Sequence, residues 1–153
     1  GSRNINDNVK KQVKIEEHNN CQNEKIFEVY AKQIEDGKNE FTSLLKNLKS
    51  ENKTFAGYGA SATSTTLIYN YEIENYIKYL VDDFSAKHNL YSPGHHIPVY
   101  ESNKIYLDKP DYIIILAWRY YKKIIANNKK YLEQGGTFII PLPKLKIISK
   151  ETL

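Results

Sequence analysis

The chain has 153 residues, 41% hydrophobic and 12% aromatic, which is enough to bury the core of one α/β domain and too short for two ordinary ones. Its 22 Lys and Arg stand against 18 Asp and Glu, a net charge of +4, but acids are interleaved with the bases, so no stripe or arm forms for nucleic acid. The lone Cys21 makes neither an internal disulfide nor a zinc cluster, and no run approaches the ~18 apolar residues of a membrane span; a cytoplasmic protein is expected.

Methionine is absent even at position 1, which reads as a fragment or a processed chain, with Gly1-Ser2 either a tag remnant or native sequence. Residues 1–22 are expected as a polar linker or tag remnant, their apolar residues limited to Ile5, Val9, Val13 and Ile15. Over 23–50 the positions Ile26, Tyr30, Ile34, Phe41, Leu44, Leu45 and Leu48 recur at helical steps, predicting an N-terminal helix that packs on the domain, with Gly37 as a point where it breaks.

From residue 51 onward strands and helices alternate. Thr54–Gly59 reads as a strand running into glycines and 62–71 as a helix; Tyr76–Val81 reads as a second strand ending in Asp82-Asp83. Val99-Tyr100 is a short third strand. The unbroken apolar run Tyr112–Trp118 suits a central parallel strand covered on both faces. A helix over 120–134 stops at Gly135-Gly136, and Thr137–Ile140 is a last strand closed by Pro141-Leu142-Pro143. The alternation predicts a Rossmann-like, mostly parallel, doubly wound α/β sheet over 51–153 with an N-terminal helical extension. Ligands of such sheets sit beyond the carboxyl ends of the strands, where strand order reverses.

Chemistry-bearing residues collect at those ends. Gly57-Tyr58-Gly59-Ala60-Ser61 begins like a dinucleotide fingerprint: glycines admit a phosphate close to the backbone, and the following helix offers N–H groups. Ala62 replaces the third glycine, and Asp82 is placed to accept from a ribose hydroxyl. The competing reading is a turn that only packs helix against strand, with the two aspartates capping the next helix. His95 and His96, held between Pro93-Gly94 and Pro98, suit binding or proton transfer, although the pattern alone favours one shaping the turn while the other is exposed. Trp118 and Arg119 end the central strand, one able to stack on a ring and the other to pair with phosphate. No nucleophile elbow, Walker lysine or metal-ligand set is present.

Taken in order, Gly57–Ala60 with Thr66-Leu67, Asp82 with Lys87, Pro93–Pro98, Leu116-Ala117-Trp118, Gly135-Gly136 and Pro141–Pro143 resemble the C-terminal domain of bacterial sugar C-methyltransferases, over about Phe41 to Ile147. The resemblance implies a substrate-side domain of a larger S-adenosylmethionine-dependent enzyme. Such an enzyme methylates a carbon of a nucleotide-linked deoxy-keto sugar, with a zinc-binding region and the methyl-donor domain preceding this one. It implies no catalytic residue, cofactor or metal in this chain; its partners would be the nucleotide-linked sugar and those preceding domains. It adds Lys87 to the candidate binding residues. Two positions depart from the family's usual pattern: Thr63 stands where Lys is common, and Arg119 where Asn follows the Trp. The alternatives are a stand-alone nucleotide- or dinucleotide-binding module without methyltransferase activity, and a non-catalytic assembly domain.

Overall fold

Two helices precede the sheet in the computed structural model, which describes residues 5–152. Gly1-Ser2 lies outside the described residues. The stretch expected as a linker holds a helix, α1 (Asp7–His18). Its stability is local: the Asn6 side chain caps it by accepting from the Asn8 N–H, Asp7 sits at the end that favours its charge, and Gln12 donates to Glu16 at 3.0 Å. No residue of α1 is buried. α2 (Glu24–Ser50) runs through Gly37 without a break, since one glycine in a long helix costs only about 1 kcal/mol. The described residues form two compact units, one up to Asp36 and one from Gly37 onward, dividing inside α2.

The second unit carries the sheet: β1 (Phe55–Tyr58), α3 (Ala62–Tyr71), β2 (Leu80–Val81), β3 (Val99–Tyr100), α4 (Lys104–Asp108), β4 (Tyr112–Ile115), α5 (Tyr121–Asn127), α6 (Lys129–Glu133), β5 (Thr137–Ile140) and β6 (Lys146–Ile148). The strand order is β3-β2-β1-β4-β5-β6, parallel except for the antiparallel β5–β6 pair. The fold is therefore α/β and Rossmann-like, as its alternating pattern predicts.

β4 shows why. Ile113 and Ile115 face one helical layer, with Ile105, Ile124, Ile125 and Leu132, while Ile114 and Leu116 face the other, with Leu45, Leu67 and Ile68; all four are fully buried. A strand covered on both faces has no polar side to alternate with. Within the second unit the distal part of α2 supplies Phe41 and Leu45, both at 0% exposure, to the layer shared with α3.

Four details differ from expectation. The strand predicted from Tyr76 shortens to Leu80-Val81, because Glu74–Tyr76 coils into a 3-10 turn. The helix over 120–134 is divided into α5 and α6 at Asn128, whose side-chain amide is buried and bonded to Ile124 O at 2.8 Å. α4 and the edge strand β6 were not foreseen. Among the described residues no helix is long and apolar enough to cross a membrane.

Candidate functional site

Beyond the carboxyl ends of β1, β2 and β4 lies a cleft of about 300 Å³, at the point where the chain turns from building the β2–β3 side of the sheet to the β4–β5 side. One wall is the turn after β1 with Ser61 and Thr63; the floor is Tyr58, Leu116 and Ala117; Asp82, Asp83 and Lys87 close one side. The opposite wall runs from Trp118 through Arg119 and Tyr120 to Lys123 and Asn127.

The glycines are explained by packing rather than by ligand. Gly59 has φ +106°, and a Cβ there would lie 2.7 Å from the Ala117 Cβ and 3.0 Å from the Ala117 nitrogen. The place of its missing side chain is taken by Ala117, just beyond the end of β4. At Gly57 a Cβ would meet Leu80 at 2.5 Å and Leu116 at 2.9 Å, side chains of the neighbouring strands. Gly57 does not line the cleft, and Ala60 lines a neighbouring shallow pocket instead.

Asp82 is likewise committed to the fold. Its carboxylate accepts from the Ala60 N–H at 2.7 Å, the Phe84 N–H at 2.9 Å and the Lys87 ammonium at 3.0 Å. Burial works to raise its pKa, but the Ala60 and Phe84 amides and Lys87 outweigh it and hold the carboxyl below its ordinary value. Asp82 fastens the end of β2 to the glycine turn with Lys87 as its counter-ion, and it lines the cleft at the same time.

Asp83, the next residue, faces a polar network. The Tyr58 hydroxyl donates to Asp83 Oδ1 at 2.6 Å, Ser102 donates to the same oxygen, and Asn128 Nδ2 reaches the Tyr58 oxygen at 3.4 Å. Tyr106 completes the chain by donating to Asn128 Oδ1 at 3.0 Å. Burial and the Asp83 carboxylate push the Tyr58 phenol up to about 12, so it stays a hydrogen-bond donor throughout the physiological range.

Trp118 is half-buried, touching both apolar layers while lining the cleft, so packing and ligand contact are compatible there. The Arg119 guanidinium lies 5.1 Å from the Trp118 ring centroid. Neither Arg119 nor Lys123 has an acidic side chain within 4.0 Å among the described residues, whereas Lys87 is paired with Asp82.

A model of the family described as the C-methyltransferase C-terminal domain matches residues 1–143. The chain belongs to this family. C-methyltransferase NovU of Streptomyces niveus is 32% identical over 127 residues, covering 82% of this chain and 30% of NovU. The chain thus spans less than a third of that relative's length. The crystal structure of UDP-D-quinovosamine 4-dehydrogenase from Vibrio fischeri aligns at 17% identity with a TM-score of 0.46, over 66% of this chain and 97% of that one.

Within this C-methyltransferase C-terminal domain, Tyr58, Gly59, Ser61, Asp82, Lys87, Trp118 and Arg119 come together around one cleft. Thr63 and Arg119, the two departures from the usual pattern, both line it. His95 and His96 do not line it. The His95 ring packs on Tyr69 of α3 at 4.2 Å between centroids, with Nε2 4.0 Å from a Glu74 carboxylate oxygen, and His96 holds a left-handed turn at φ +51°. That loop is shaped by packing: a Cβ on Gly94 would fall 1.6 Å from the Tyr69 hydroxyl. Sequence reasoning passed over Asp83, Tyr120, Lys123 and Asn127. The Lys122-Lys123 pair looks like solvated helix surface until the fold carries α5 to the mouth of the cleft. No group of three His, Cys, Asp or Glu able to hold a metal ion occurs among the described residues.

Proposed function

We propose that this chain is the substrate-side domain of an S-adenosylmethionine-dependent C-methyltransferase acting on a nucleotide-linked deoxy-keto sugar. Its cleft would bind the nucleotide part of that substrate. The observation that carries the reading is the position and lining of the cleft: in a member of this family, an indole, two cations without acidic partners among the described residues and an exposed carboxylate converge beyond β1 and β4. Those are the groups that an aromatic base, a diphosphate and sugar hydroxyls require.

On this reading the domain orients its ligand and supplies no catalytic group. The methyl donor and a zinc ion belong to other parts of a longer polypeptide, in keeping with the 30% of NovU that the chain spans. The protein works in the cytoplasm, where a free thiol such as Cys21 stays reduced.

Titration calorimetry with a panel of nucleotide sugars, S-adenosylmethionine and NAD tests the reading. A nucleotide sugar should bind while the other two do not. Preferential binding of NAD or S-adenosylmethionine would overturn it, and binding of none would leave the assembly role in its place.

A further inference from the structure

The cleft offers an anion two places, and their states differ. The glycine turn carries the backbone donors by which Rossmann-like domains usually hold a diphosphate. Here the Ala60 N–H is already donated to Asp82 Oδ2 at 2.7 Å, and that carboxylate is itself fixed by the Phe84 N–H and by Lys87. An incoming phosphate would meet a carboxylate at the turn and would have to displace it from the Ala60 N–H. Gly59 gives no additional room, because Ala117 fills the place of its missing side chain.

The opposite wall is open. Arg119, in the 3-10 turn Trp118–Tyr120, and Lys123, in the first turn of α5, both line the cleft. Neither has an acidic partner among the described residues, so a bound anion displaces nothing from them. Arg119 is placed over the indole of Trp118, which restricts the guanidinium on that wall of the cleft.

We infer that the cleft holds a diphosphate between Arg119 and Lys123, on the Trp118 wall, and that the glycine turn, latched by Asp82, takes no phosphate. The inference rests on the reading of this cleft as a nucleotide site and assigns the residues that recognise the charged group. Two predictions separate it from the usual dinucleotide arrangement: inorganic pyrophosphate binds by itself, and the two side chains, not the turn, govern its affinity.

The test titrates the whole chain and three variants with inorganic pyrophosphate, UDP, uridine and UDP-glucose. The double variant R119A/K123A should weaken pyrophosphate, UDP and UDP-glucose by tenfold or more, a change of about 1.4 kcal/mol or more. The variant K129A/K130A removes the same charge from α6, outside the cleft, and should bind within about twofold of the unaltered chain if contact rather than net charge is responsible. R119E/K123E should bind none of the phosphates. Circular dichroism and thermal melting establish that each variant is folded, which is expected of substitutions at surface residues.

The inference is overturned if R119A/K123A binds pyrophosphate and UDP like the unaltered chain, if K129A/K130A loses as much, or if neither probe binds at millimolar concentration. Its failure is distinguishable from that of the broader reading. Undiminished binding of UDP-glucose by R119A/K123A removes the diphosphate assignment and leaves a nucleotide-sugar domain. Loss of pyrophosphate in that variant, with no nucleotide sugar in the wider panel exceeding UDP, keeps the diphosphate assignment and removes the sugar.

Discussion

Gly59 illustrates how one residue type supports two physical readings. A glycine after a strand is required wherever a backbone must approach something closely, and sequence does not say whether that something is a phosphate or another strand. Here it is Ala117, with the added strain of φ +106° for any side chain. Gly59→Val is therefore expected to destabilise the domain by about 2–3 kcal/mol, combining left-handed strain with a backbone clash. Urea unfolding checks this; a variant as stable as the original but deficient in ligand binding would return the glycine to the site. Tyr58 makes a finer test. Its hydroxyl gives Asp83 one of two hydrogen bonds and is otherwise enclosed, so Tyr58→Phe should cost about 1 kcal/mol in the same measurement. It removes a hydroxyl whose pKa lies near 12, so the loss should be the same at pH 6 and pH 8.

Among elements, α2 sets two identical side chains in opposite surroundings. Phe41 is fully buried and Phe27 is 63% exposed. Phe41→Ala should cost about 3–5 kcal/mol, the expense of a cavity the size of an aromatic ring. Phe27→Ala should stay within about 0.5 kcal/mol, as for other exposed positions. Chemical denaturation of the two variants side by side gives the contrast. The latch between the end of β2 and the turn before α3 has a pH signature. Asp82 has a depressed pKa in the folded chain, so its stabilisation is present above the ordinary carboxylate range near ~4 and is lost as pH falls through the depressed value. Asp111 acts in the same sense, held low chiefly by the Thr54 hydroxyl at the other end of β1. Unfolding free energy should fall below about pH 5, and Asp82→Asn should flatten that limb while lowering stability at pH 7 by about 1–2 kcal/mol. An unchanged acid limb in the variant would show that the latch does not form.

These elements show what could be read in advance. β4 and β5 were legible because a strand buried on both faces writes itself as an apolar run, and α3 because Ser61 caps it at the end of a glycine turn. β2 was overextended because Tyr76 and Ile77 have strand-forming side chains, while Tyr76 lies in a 3-10 turn that the Ile77 N–H closes onto Glu74. β6 hid because a three-residue edge strand, with Lys146 and Ile147 exposed and only Ile148 against the core, is too short to show a period. At the site, Gly59, Asp82 and Trp118 were marked by the strand ends they follow, while Asp83 and the α5 residues Lys123 and Asn127 were not. Lys123 enters the cleft from a helix, and Asp82 lines it with its carboxylate held by the Ala60 amide.

At the scale of the whole molecule, the division inside α2 makes a prediction about which residues the domain needs. Neither apolar layer of the sheet contains a residue before Phe41, and Ile34, Tyr30, Val29 and Phe27 are all more than half exposed. Core burial supplies most of the driving force for folding, and a chain beginning at Gly37 keeps every residue of both apolar layers of the sheet. Removal of residues 1–36 does open α2 at Gly37, where the first N–H groups lose their helical partners, a cost near 1 kcal/mol that a Ser or Asp placed ahead of Gly37 would recover. The shortened chain should therefore unfold cooperatively with a Tm lowered by about 5 °C or less. It should also keep its affinity for pyrophosphate, since every residue lining the cleft lies between Tyr58 and Asn127. Scanning calorimetry and the same titration decide the matter together. A loss of cooperativity would make the first unit part of the fold, and a stable but non-binding product would make it part of the site.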